Sequence, residues 1–444
     1  MVLLPWGSSH DHDRADDARP ALPSERALAT AKRLVADALA SLRFHRRGLR
    51  GAPEARLEKL RRLTKQPLAG VDGSRLLGRE PITFQIDRLR PAVSNRAILV
   101  TGAAGSIGSE LCRQIAQLQP RLVVAFDQAE SGLFQLDQDM RRHSPGVTVV
   151  PWIGDIRDVR RVQEVIERYT FDSVFHAAAY KHVPLMELHP LELIQTNVLG
   201  TWNLARAAAN RKASRFTLIS TDKAVNPGNV MGLTKRIAEL LVAQMAGDPG
   251  CRTRFATVRF GNVLGSSGSV VPLFHEQIAL GGPLTVTHPD VRRYFMTIRE
   301  AVHLVLETAS MADGSGTFVL DMGEPVRIVE LARNMIRMWG LEPDKDIEIR
   351  YVGLRPGEKL NEELIGRGEQ AMPTLHPRIR ALRGNAEPPP NVDAWMAELR
   401  LAVERRDEAG AISYMAALAP EYEPGEIWAA LRTPPAASRP AAAS

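Results

Sequence analysis

The sequence predicts an α/β protein with a doubly wound parallel sheet and a smaller mixed part toward the C-terminus. Two observations predict this fold class. Short, continuously apolar runs alternate with amphipathic helical runs, as in parallel sheets that carry helices on both faces. A glycine-rich turn, Gly102-Ala-Ala-Gly105-Ser-Ile-Gly108, joins the first apolar run to the first helical run. With 444 residues, 44% of them hydrophobic, the chain can bury a large core.

The predicted elements follow from apolar periodicity. Strands are predicted where apolar and β-branched residues run together, at residues 98–101, 122–126, 147–153, 174–177, 216–220 and 256–260. Between them, apolar residues recur at helical spacing over residues 158–169, 191–212 and 232–247. Residues 265–375 hold shorter elements rich in Gly and Pro, and residues 391–418 are predicted to form a helical pair.

The N-terminal region differs in charge from the rest of the chain. Residues 1–25 are polar and aperiodic, so we expect them to be disordered. Residues 26–65 carry twelve Lys or Arg against three acidic residues, a net charge of +9 that leaves −3 for the remainder. Residues 26–47 predict a basic amphipathic helix. Such a helix either contacts an anionic membrane surface peripherally or packs on protein with its basic face solvated, and the second arrangement is the commoner.

Several classes of protein are disfavoured by composition. The two cysteines, Cys112 and Cys251, are too few for a disulfide framework or a metal knuckle, and the histidines show no metal-ligand spacing, so we expect no metal. No apolar run is long enough to span a membrane. No aromatic platform interleaves the basic residues, which argues against nucleic-acid binding. We expect a soluble, cytoplasmic protein, with peripheral contact at the inner face of the membrane as the alternative.

The glycine-rich turn predicts a dinucleotide site. Gly102 permits the tight turn, Gly105 lets a pyrophosphate approach the backbone, and Gly108 lets helix and strand pack closely. The helix that begins at Ser106 and Ile107 offers free N–H groups and its positive dipole end to phosphates. Asp127 ends the next strand, 19 residues after Gly108. A carboxylate there accepts hydrogen bonds from a ribose 2′-OH and repels a 2′-phosphate, so NAD is favoured over NADP.

The spacing of the glycines is typical of the short-chain and extended short-chain dehydrogenases, which have a Rossmann fold. Asp155 and Ile156, after the third strand, resemble the adenine contact of that group. Ala177 and Ala178, after the fourth strand, and Asn197, on the following helix, also fit its pattern. We therefore expect Asp155, Ile156, Ala177 and Ala178 to bind the cofactor.

A polar stretch at the end of the fifth strand carries the candidate chemistry. Thr221, Asp222 and Lys223 place a hydroxyl, a carboxyl and an amine in consecutive positions. Lys235 follows twelve residues later, with Met231 one helical turn before it. Ordinary short-chain dehydrogenases have Tyr-x-x-x-Lys at this point, whereas this chain reads Met231-Gly-Leu-Thr-Lys235. Lys235 can still hold the nicotinamide ribose, but Met231 cannot accept a proton.

These residues resemble the UDP-N-acetylglucosamine 4,6-dehydratases of bacterial surface-polysaccharide and protein-glycan biosynthesis, and among them the subgroup with methionine in place of tyrosine. The resemblance extends from about Leu76 to Tyr422. Its further motifs are Tyr180-Lys-His-Val-Pro184, Arg259-Phe-Gly-Asn262, Gly265-Ser-Ser-Gly268-Ser-Val-Val-Pro272 and Arg355-Pro-Gly-Glu-Lys359. Many members of this subgroup also have N-terminal membrane helices and a second nucleotide fold, and we expect this chain to correspond to the catalytic half alone.

The resemblance implies a mechanism and a role for each residue. Hydride passes from C4 of the sugar to NAD⁺, water is lost across C5 and C6, and the hydride returns to C6. Lys223 is the base at C5, Asp222 is the acid at the C6 hydroxyl, and Thr221 bonds the C4 oxygen. We expect burial and the charges of Lys235 and NAD⁺ to lower the pKa of Lys223, and desolvation to raise the pKa of Asp222. The group that deprotonates the C4 hydroxyl stays open between Lys235 and Thr221 with a water.

The substrate implied by the resemblance is a UDP-N-acetylhexosamine, with UDP-GlcNAc favoured. Its diphosphate is expected to contact Arg292 and Arg355, with support from Asn262 and Glu358, since a guanidinium suits phosphate oxygens. Lys181 is a further substrate-binding candidate. A homo-oligomer is also implied, because short-chain dehydrogenases usually pair through helices.

Three alternatives accompany this hypothesis: a UDP-sugar 4-epimerase, a 5-inverting dehydratase, and a non-catalytic NAD-binding scaffold. A 4-epimerase has no use for an adjacent Asp-Lys pair, and a scaffold would not need to retain it. The predicted organisation has a disordered segment, a basic helical extension, an NAD-binding domain, a substrate-binding part, C-terminal helices and a disordered tail, at residues 1–25, 26–75, 76–262, 263–380, 381–430 and 431–444.

Overall fold

The computed structural model describes Leu76 and residues 86–311, 315–384 and 391–432. The predictions for residues 1–25, for the basic segment 26–75 and for the tail beyond residue 432 lie outside the described residues. In the described part of the chain, no helix is both long and apolar enough to cross a membrane.

The described chain is organised around a large, mainly parallel sheet, which confirms the predicted fold class. The strands are β1 Ala97–Thr101, β2 Leu122–Asp127, β3 Val149–Ile153, β4 Ser173–His176, β5 Arg215–Ile219, β6 Arg254–Arg259, β7 Asn262–Leu264, β8 Leu284–Val286, β9 Arg292–Arg293, β10 Phe295–Thr297, β11 Gly316–Leu320, β12 Val326–Arg327, β13 Ile349–Tyr351, β14 Gln370–Pro373 and β15 Ile379–Arg383. Within the described residues the main sheet has the order β14-β15-β11-β6-β5-β4-β1-β2-β3. The order reverses between β1 and β4, which is where ligands bind in doubly wound sheets.

Helices cover both faces of this sheet. They are α1 Ile86–Val93, α2 Ser106–Gln117, α3 Glu130–His143, α4 Val159–Arg168, α5 Val183–Met186, α6 Pro190–Ile194, α7 Thr201–Asn210, α8 Val230–Gly247, α9 Val270–Ala279, α10 Ile298–Ser310, α11 Ile328–Met338, α12 Val392–Glu404 and α13 Glu408–Ala416. A π-helical turn, Gln195–Gly200, joins α6 to α7, and 3₁₀ turns cover Asp222–Ala224 and Glu426–Arg432. The helix predicted over 191–212 is therefore α6, the π turn and α7 in succession.

The alternation of side chains along β1 explains the two-sided core. Ile98 and Val100 pack with α2 and α10 on one face of the sheet, while Ala97 and Leu99 pack with α4 and α7 on the other. All four side chains are buried, as expected for a central parallel strand.

Two smaller cores flank the sheet. One lies between α9, α11 and the short β8–β13 pair, within the part predicted to bind substrate. The other forms where α12 and α13 pack on α8, so the predicted C-terminal helical pair is confirmed. The antiparallel strands β14 and β15 extend the sheet beyond β11 and were not predicted. Because α12 and α13 pack on it, α8, which carries Met231 and Lys235, is buried along most of its length.

Candidate functional site

A cavity of about 500 Å³ opens at the C-terminal ends of the central strands. Its lining comes from the glycine-rich turn after β1, the loop after β4, the end of β5, the loop that follows β6, and the segment around Arg355. Segments far apart in sequence therefore meet at one place, because parallel strands all end at the same edge of a sheet.

The glycine-rich turn forms one wall of the cavity, and its close packing requires glycine. Gly102 has a φ of +68°, and an added Cβ there would lie 2.5 Å from the Ala178 nitrogen. At Gly108 an added Cβ would overlap the carbonyl oxygen of Gly102. Gly105 precedes α2 without a side-chain cap, and Gly105, Ser106 and Ile107 line the cavity. Backbone N–H groups at a helix start, beside an open cavity, fit the pyrophosphate of a dinucleotide.

Asp127 lies beside this turn, at the end of β2. Its Oδ2 accepts a 2.9 Å hydrogen bond from the Ala104 N–H, and its Oδ1 accepts one of 2.9 Å from Ala129. These bonds hold the carboxylate against the glycine-rich turn, the position expected for a ribose contact.

The other adenine-side candidates have more varied positions. Asp155 pairs with Arg157 at 2.6 Å, and Ile156 is buried against Gly200. Ala177 lines the cavity, whereas Ala178 packs behind Gly102. Like Asp127, the residues Asp155, Ile156 and Ala178 lie outside the lining of the described cavity.

The polar stretch after β5 forms the opposite wall. Thr221 Oγ1 donates a 2.9 Å hydrogen bond to Oδ1 of Asp222, and Lys223 Nζ donates one of 2.9 Å to the same oxygen. Lys223 Nζ also lies 3.3 Å from Oδ1 of Asn262. Thr221, Lys223 and Asn262 line the cavity, while Asp222 is fully buried behind them.

Among the described residues, the second oxygen of Asp222 has no hydrogen-bond partner. An added Cβ at Gly261, a cavity-lining residue, would lie 3.1 Å from this oxygen. A buried, unpartnered carboxylate oxygen is costly unless a further group bonds to it. Because Gly261 has no side chain, a hydrogen-bonding group can approach this oxygen of Asp222 from the cavity.

The protonation state of Lys223 differs from the expectation. Burial lowers the pKa of Lys223, but the charges of Asp222 and Glu362 outweigh burial, so the pKa lies above its usual value. The prediction of a lowered pKa is therefore wrong for this structure. The reason is the charge and hydrogen bond of Asp222, together with the charge of Glu362, which approaches from 139 residues further along the chain.

Met231 and Lys235 face the cavity from α8. Asn229 caps this helix, its side chain accepting a 2.7 Å hydrogen bond from Gly232. Lys235 Nζ donates a 2.6 Å hydrogen bond to the carbonyl oxygen of Ile219, at the end of β5. Burial lowers the pKa of Lys235 to about 8, against the opposing charge of Glu239. At neutral pH this amine is therefore easier to deprotonate than an ordinary lysine.

Asn197 positions the loop after β4. Its Oδ1 accepts a 2.9 Å hydrogen bond from the Tyr180 N–H, and its Nδ2 donates to the Tyr180 carbonyl at 3.0 Å. The next residue, Lys181, lines the cavity, and burial lowers the pKa of its amine. Asn197 thus acts on the backbone and does not itself line the cavity.

The two neighbouring arginines of β9 have different surroundings. Arg292 is exposed and lies outside the cavity lining, whereas Arg293 is buried and lines it. Side chains alternate along a strand, so adjacent residues point in opposite directions. Arg293 Nη2 donates to Oε1 of Glu358 at 3.2 Å and to the Lys359 carbonyl at 2.7 Å. Arg355 and Glu358 line the cavity as expected.

Glu362 is a site residue that the sequence argument missed. Its Oε1 lies 3.8 Å from Lys223 Nζ and 3.9 Å from Arg293 Nε. The next residue, Glu363, instead accepts a 2.8 Å hydrogen bond from Asn226 at the surface. The sequence shows two adjacent glutamates shortly after Arg355-Pro-Gly-Glu-Lys359, but it does not indicate which of the two side chains points into the site.

In the ranges that the structure describes, no three His, Cys, Asp or Glu side chains form a metal-binding group. His176, the most buried histidine near the site, lies between the hydroxyls of Thr101 and Thr201, at 2.7 and 2.8 Å. Burial, followed by the charge of Lys235, lowers its pKa to about 3, so it is a neutral core residue.

The fold and the site define a protein of the extended short-chain dehydrogenase type, with a dinucleotide-binding turn facing an Asp-Lys pair. Residues 98–383 match the family described as "Polysaccharide biosynthesis protein", and the chain belongs to that family.

Three curated relatives illustrate the range of the family. The chain is 48% identical over 312 residues to the capsular polysaccharide biosynthesis protein CapD of Staphylococcus aureus, covering 70% of this chain and 51% of that protein. It is 44% identical over 317 residues to the probable polysaccharide biosynthesis protein EpsC of Bacillus subtilis, covering 71% and 52%. It is 36% identical over 284 residues to a UDP-glucose 4-epimerase of Rickettsia massiliae, covering 62% and 80%. The chain thus spans about half the length of CapD and EpsC.

Solved structures agree with the fold. Pen from Bacillus thuringiensis is 34% identical with a TM-score of 0.60, over 65% of this chain and 89% of that one. The dTDP-glucose 4,6-dehydratase DesIV of Streptomyces venezuelae, solved with NAD bound, is 21% identical with a TM-score of 0.52, over 61% and 88%. At that identity, DesIV supports the fold alone.

Proposed function

We propose that this protein is an NAD-dependent 4,6-dehydratase that acts on a UDP-N-acetylhexosamine, most simply UDP-GlcNAc, in the synthesis of a surface polysaccharide or glycan. One observation carries the proposal. Lys223 lines the same cavity as Lys235 and the glycine-rich turn, and it is bonded to Asp222, which is buried directly behind it. Dehydration needs a base and an acid next to a hydride carrier, and this pair provides both.

The site fits NAD. Gly105, Ser106 and Ile107 line the cavity at the start of α2, where a pyrophosphate would bind, and Asp127 is bonded to the same turn, where it is the proposed ribose contact. When bound, NAD supplies a hydride acceptor and donor, which the protein's own side chains cannot provide. In this proposal Lys235 holds the nicotinamide ribose.

The Asp222–Lys223 pair shares one proton between its two members. As an ion pair, it has a protonated amine and an ionised carboxyl. Moving the proton along the 2.9 Å hydrogen bond converts the pair to a neutral amine and a protonated carboxyl, the forms required of a base at C5 and an acid at C6. When Lys223 takes the C5 proton and Asp222 gives its proton to the leaving hydroxyl, the pair returns to its ionic form. The proton count therefore balances in one elimination.

Lys235 is the proposed acceptor of the C4 hydroxyl proton in the absence of a tyrosine. With its pKa lowered to about 8, a usable fraction of its amine is neutral near pH 7. Thr221 is less suited to this task because its hydroxyl already donates to Asp222. We propose that Thr221 instead orients the C4 oxygen by donating its hydroxyl hydrogen to it when substrate binds, in place of the bond to Asp222.

Arg293 and Arg355 are the proposed partners of the UDP diphosphate. Both line the cavity at the end away from the glycine-rich turn, and Arg293 is fixed there by Glu358. A fixed, buried guanidinium binds phosphate oxygens with little loss of side-chain entropy. Asn262 and Lys181 line the space between them and Lys223 and complete the proposed substrate contacts.

A UDP-sugar 4-epimerase is the second candidate, because a relative of that name is 36% identical over most of its own length. An epimerase returns the hydride to C4 and has no elimination step. The buried Asp222–Lys223 pair favours the dehydratase, since a 4-epimerase leaves it without a task.

Incubation of the purified protein with UDP-GlcNAc and NAD tests the proposal. We expect a product lighter by one water, identified by mass spectrometry and NMR as a 4-keto-6-deoxy sugar nucleotide, with no net NADH. The NMR signal at C5 also separates a retaining from an inverting dehydratase. UDP-GalNAc as sole product would instead establish the epimerase.

A further inference from the structure

Glu362 is a buried carboxylate close to the proposed base. Its side chain is 3% exposed, and one oxygen lies 3.8 Å from Lys223 Nζ and 3.9 Å from Arg293 Nε. Both separations exceed hydrogen-bonding distance, so Glu362 acts on Lys223 through charge. An ionised carboxylate in such a buried place is stabilised by its cationic neighbours.

The ammonium of Lys223 thus lies between two carboxylates. Asp222 approaches it at 2.9 Å and Glu362 at 3.8 Å, with the neutral amide of Asn262 at 3.3 Å. Arg293 is the nearest opposing cation, and it is itself paired with Glu358 at 3.2 Å. On the charges that face it, Lys223 is therefore held in its protonated form.

We propose that Glu362 is a positioning residue that keeps the ammonium of Lys223 against Asp222 and sets the threshold at which this pair exchanges its proton. The inference rests on the proposed dehydratase function. Without Glu362, burial would leave Lys223 neutral more readily, and the ammonium that forms when Lys223 takes the C5 proton would be less stable. Arg293 links this threshold to the proposed diphosphate site, because it contacts Glu362 on one side and lines the cavity on the other.

The expected effect of Glu362→Gln follows from charge alone. Removing a carboxylate within about 4–6 Å of a cation shifts the pKa of that cation by about one unit or more. The pair then loses its shared proton at lower pH, so the alkaline limb of the kcat–pH profile moves toward lower pH. Glu363→Gln is the matched control, since Glu363 is the adjacent residue and bonds Asn226 outside the cavity.

Two measurements on the full-length protein test the proposal. The first is kcat against pH for dehydration of UDP-GlcNAc. The second is the titration of the Lys223 side chain by ¹³C NMR in protein labelled at lysine Cε, assigned by comparison with Lys223→Arg. We expect Glu362→Gln to lower both midpoints by about one unit, Glu363→Gln to leave both unchanged, and Glu362→Asp to fall between Glu362→Gln and the wild type.

Unchanged midpoints in folded Glu362→Gln would overturn the proposal. If Glu362→Gln does not fold, Glu362→Asp becomes the test variant. Midpoints equal to those of the wild type in Glu362→Asp would then overturn the proposal. The NMR titration needs no turnover. A wild-type protein without dehydratase activity would therefore refute the proposed function, while the titration would still report whether Glu362 controls Lys223.

Discussion

Lys223 donates a 2.9 Å hydrogen bond to Oδ1 of Asp222, its neighbour in the chain, just beyond the end of the central strand β5. Consecutive residues in a strand point in opposite directions, and it is the 3₁₀ turn over Asp222–Ala224 that brings the two side chains together. Thr221 starts this turn by accepting a hydrogen bond from the Lys223 N–H. A local feature of the backbone thus creates the proposed acid–base pair.

Lys223→Met tests the assignment of the base. The substitution keeps the length of the side chain and removes the amine, so elimination should slow by at least about 10²–10⁴-fold. NAD affinity should stay unchanged, because the partners of Lys223 are Asp222, Asn262 and Glu362, which are not part of the glycine-rich turn. Product formation by mass spectrometry and NAD binding by calorimetry measure the two effects. Dehydration at the wild-type rate would remove Lys223 from its proposed role.

Arg293→Met and Arg292→Met form a matched pair at adjacent positions. Loss of a charge-assisted contact to phosphate costs about 1.5–3 kcal/mol, so Arg293→Met should raise KM for the UDP-sugar by about 10- to 100-fold. Arg292 is exposed outside the cavity, and its substitution should leave KM unchanged. Steady-state kinetics at constant ionic strength measures both. The opposite ranking would restore the expectation from the sequence that Arg292 binds the diphosphate.

The pH dependence of C4 oxidation tests the role of Lys235. In a Lys223→Met background the reaction should stop after hydride transfer, so NADH absorbance reports that step alone. If neutral Lys235 accepts the C4 proton, the rate should rise with pH through a midpoint of about 8 and level off above it. A rate that falls through the same midpoint would show that Lys235 acts only as a cation.

Glu187 is predicted to destabilise the protein as the pH rises. It is buried, and its side chain accepts a 2.6 Å hydrogen bond from the Val230 N–H at the start of α8. Burial raises its pKa from 4.5 to about 7. Below pH 4.5 both folded and unfolded states hold the proton, whereas above pH 7 both have lost it and the folded state carries a cost of about 3 kcal/mol.

Glu187→Gln keeps an acceptor for the Val230 N–H but cannot ionise. Its free energy of unfolding relative to the wild type should therefore increase by about 3 kcal/mol between pH 4.5 and pH 8. Denaturant unfolding at a series of pH values measures this difference. A difference that does not vary with pH would show that Glu187 is not protonated in the folded protein.

The sequence was sufficient for the sheet because its central strands are continuously apolar. Neighbouring residues such as Ile98 and Leu99 are buried on opposite faces of the sheet, which produces a continuous apolar run in the sequence. The glycine-rich turn could also be predicted from the sequence, because the contacts that require glycine are mostly local. Gly108 packs against the carbonyl of Gly102, and Gly102 packs against the backbone of Ala178, just after β4.

The errors arose where a side chain's environment is set by distant parts of the chain. Arg292 and Arg293 occupy a two-residue strand, too short for alternation to reveal which one points inward. The pKa of Lys223 depends on Glu362, which only the folded chain brings to it. Strands β14 and β15 lack the long apolar runs of the central strands; β15 joins the sheet through antiparallel pairing to β11, and β14 pairs antiparallel with β15 at the edge.

The fate of the hydride at C4 tests the central claim most directly. The protein would be incubated with NAD and UDP-GlcNAc that carries deuterium at C4, and the product would be analysed by NMR. A 4,6-dehydratase that removes and returns one hydride places the deuterium at C6 of a 4-keto-6-deoxy sugar. Deuterium retained at C4 in an epimeric sugar, or accumulated in reduced NAD, would contradict the account.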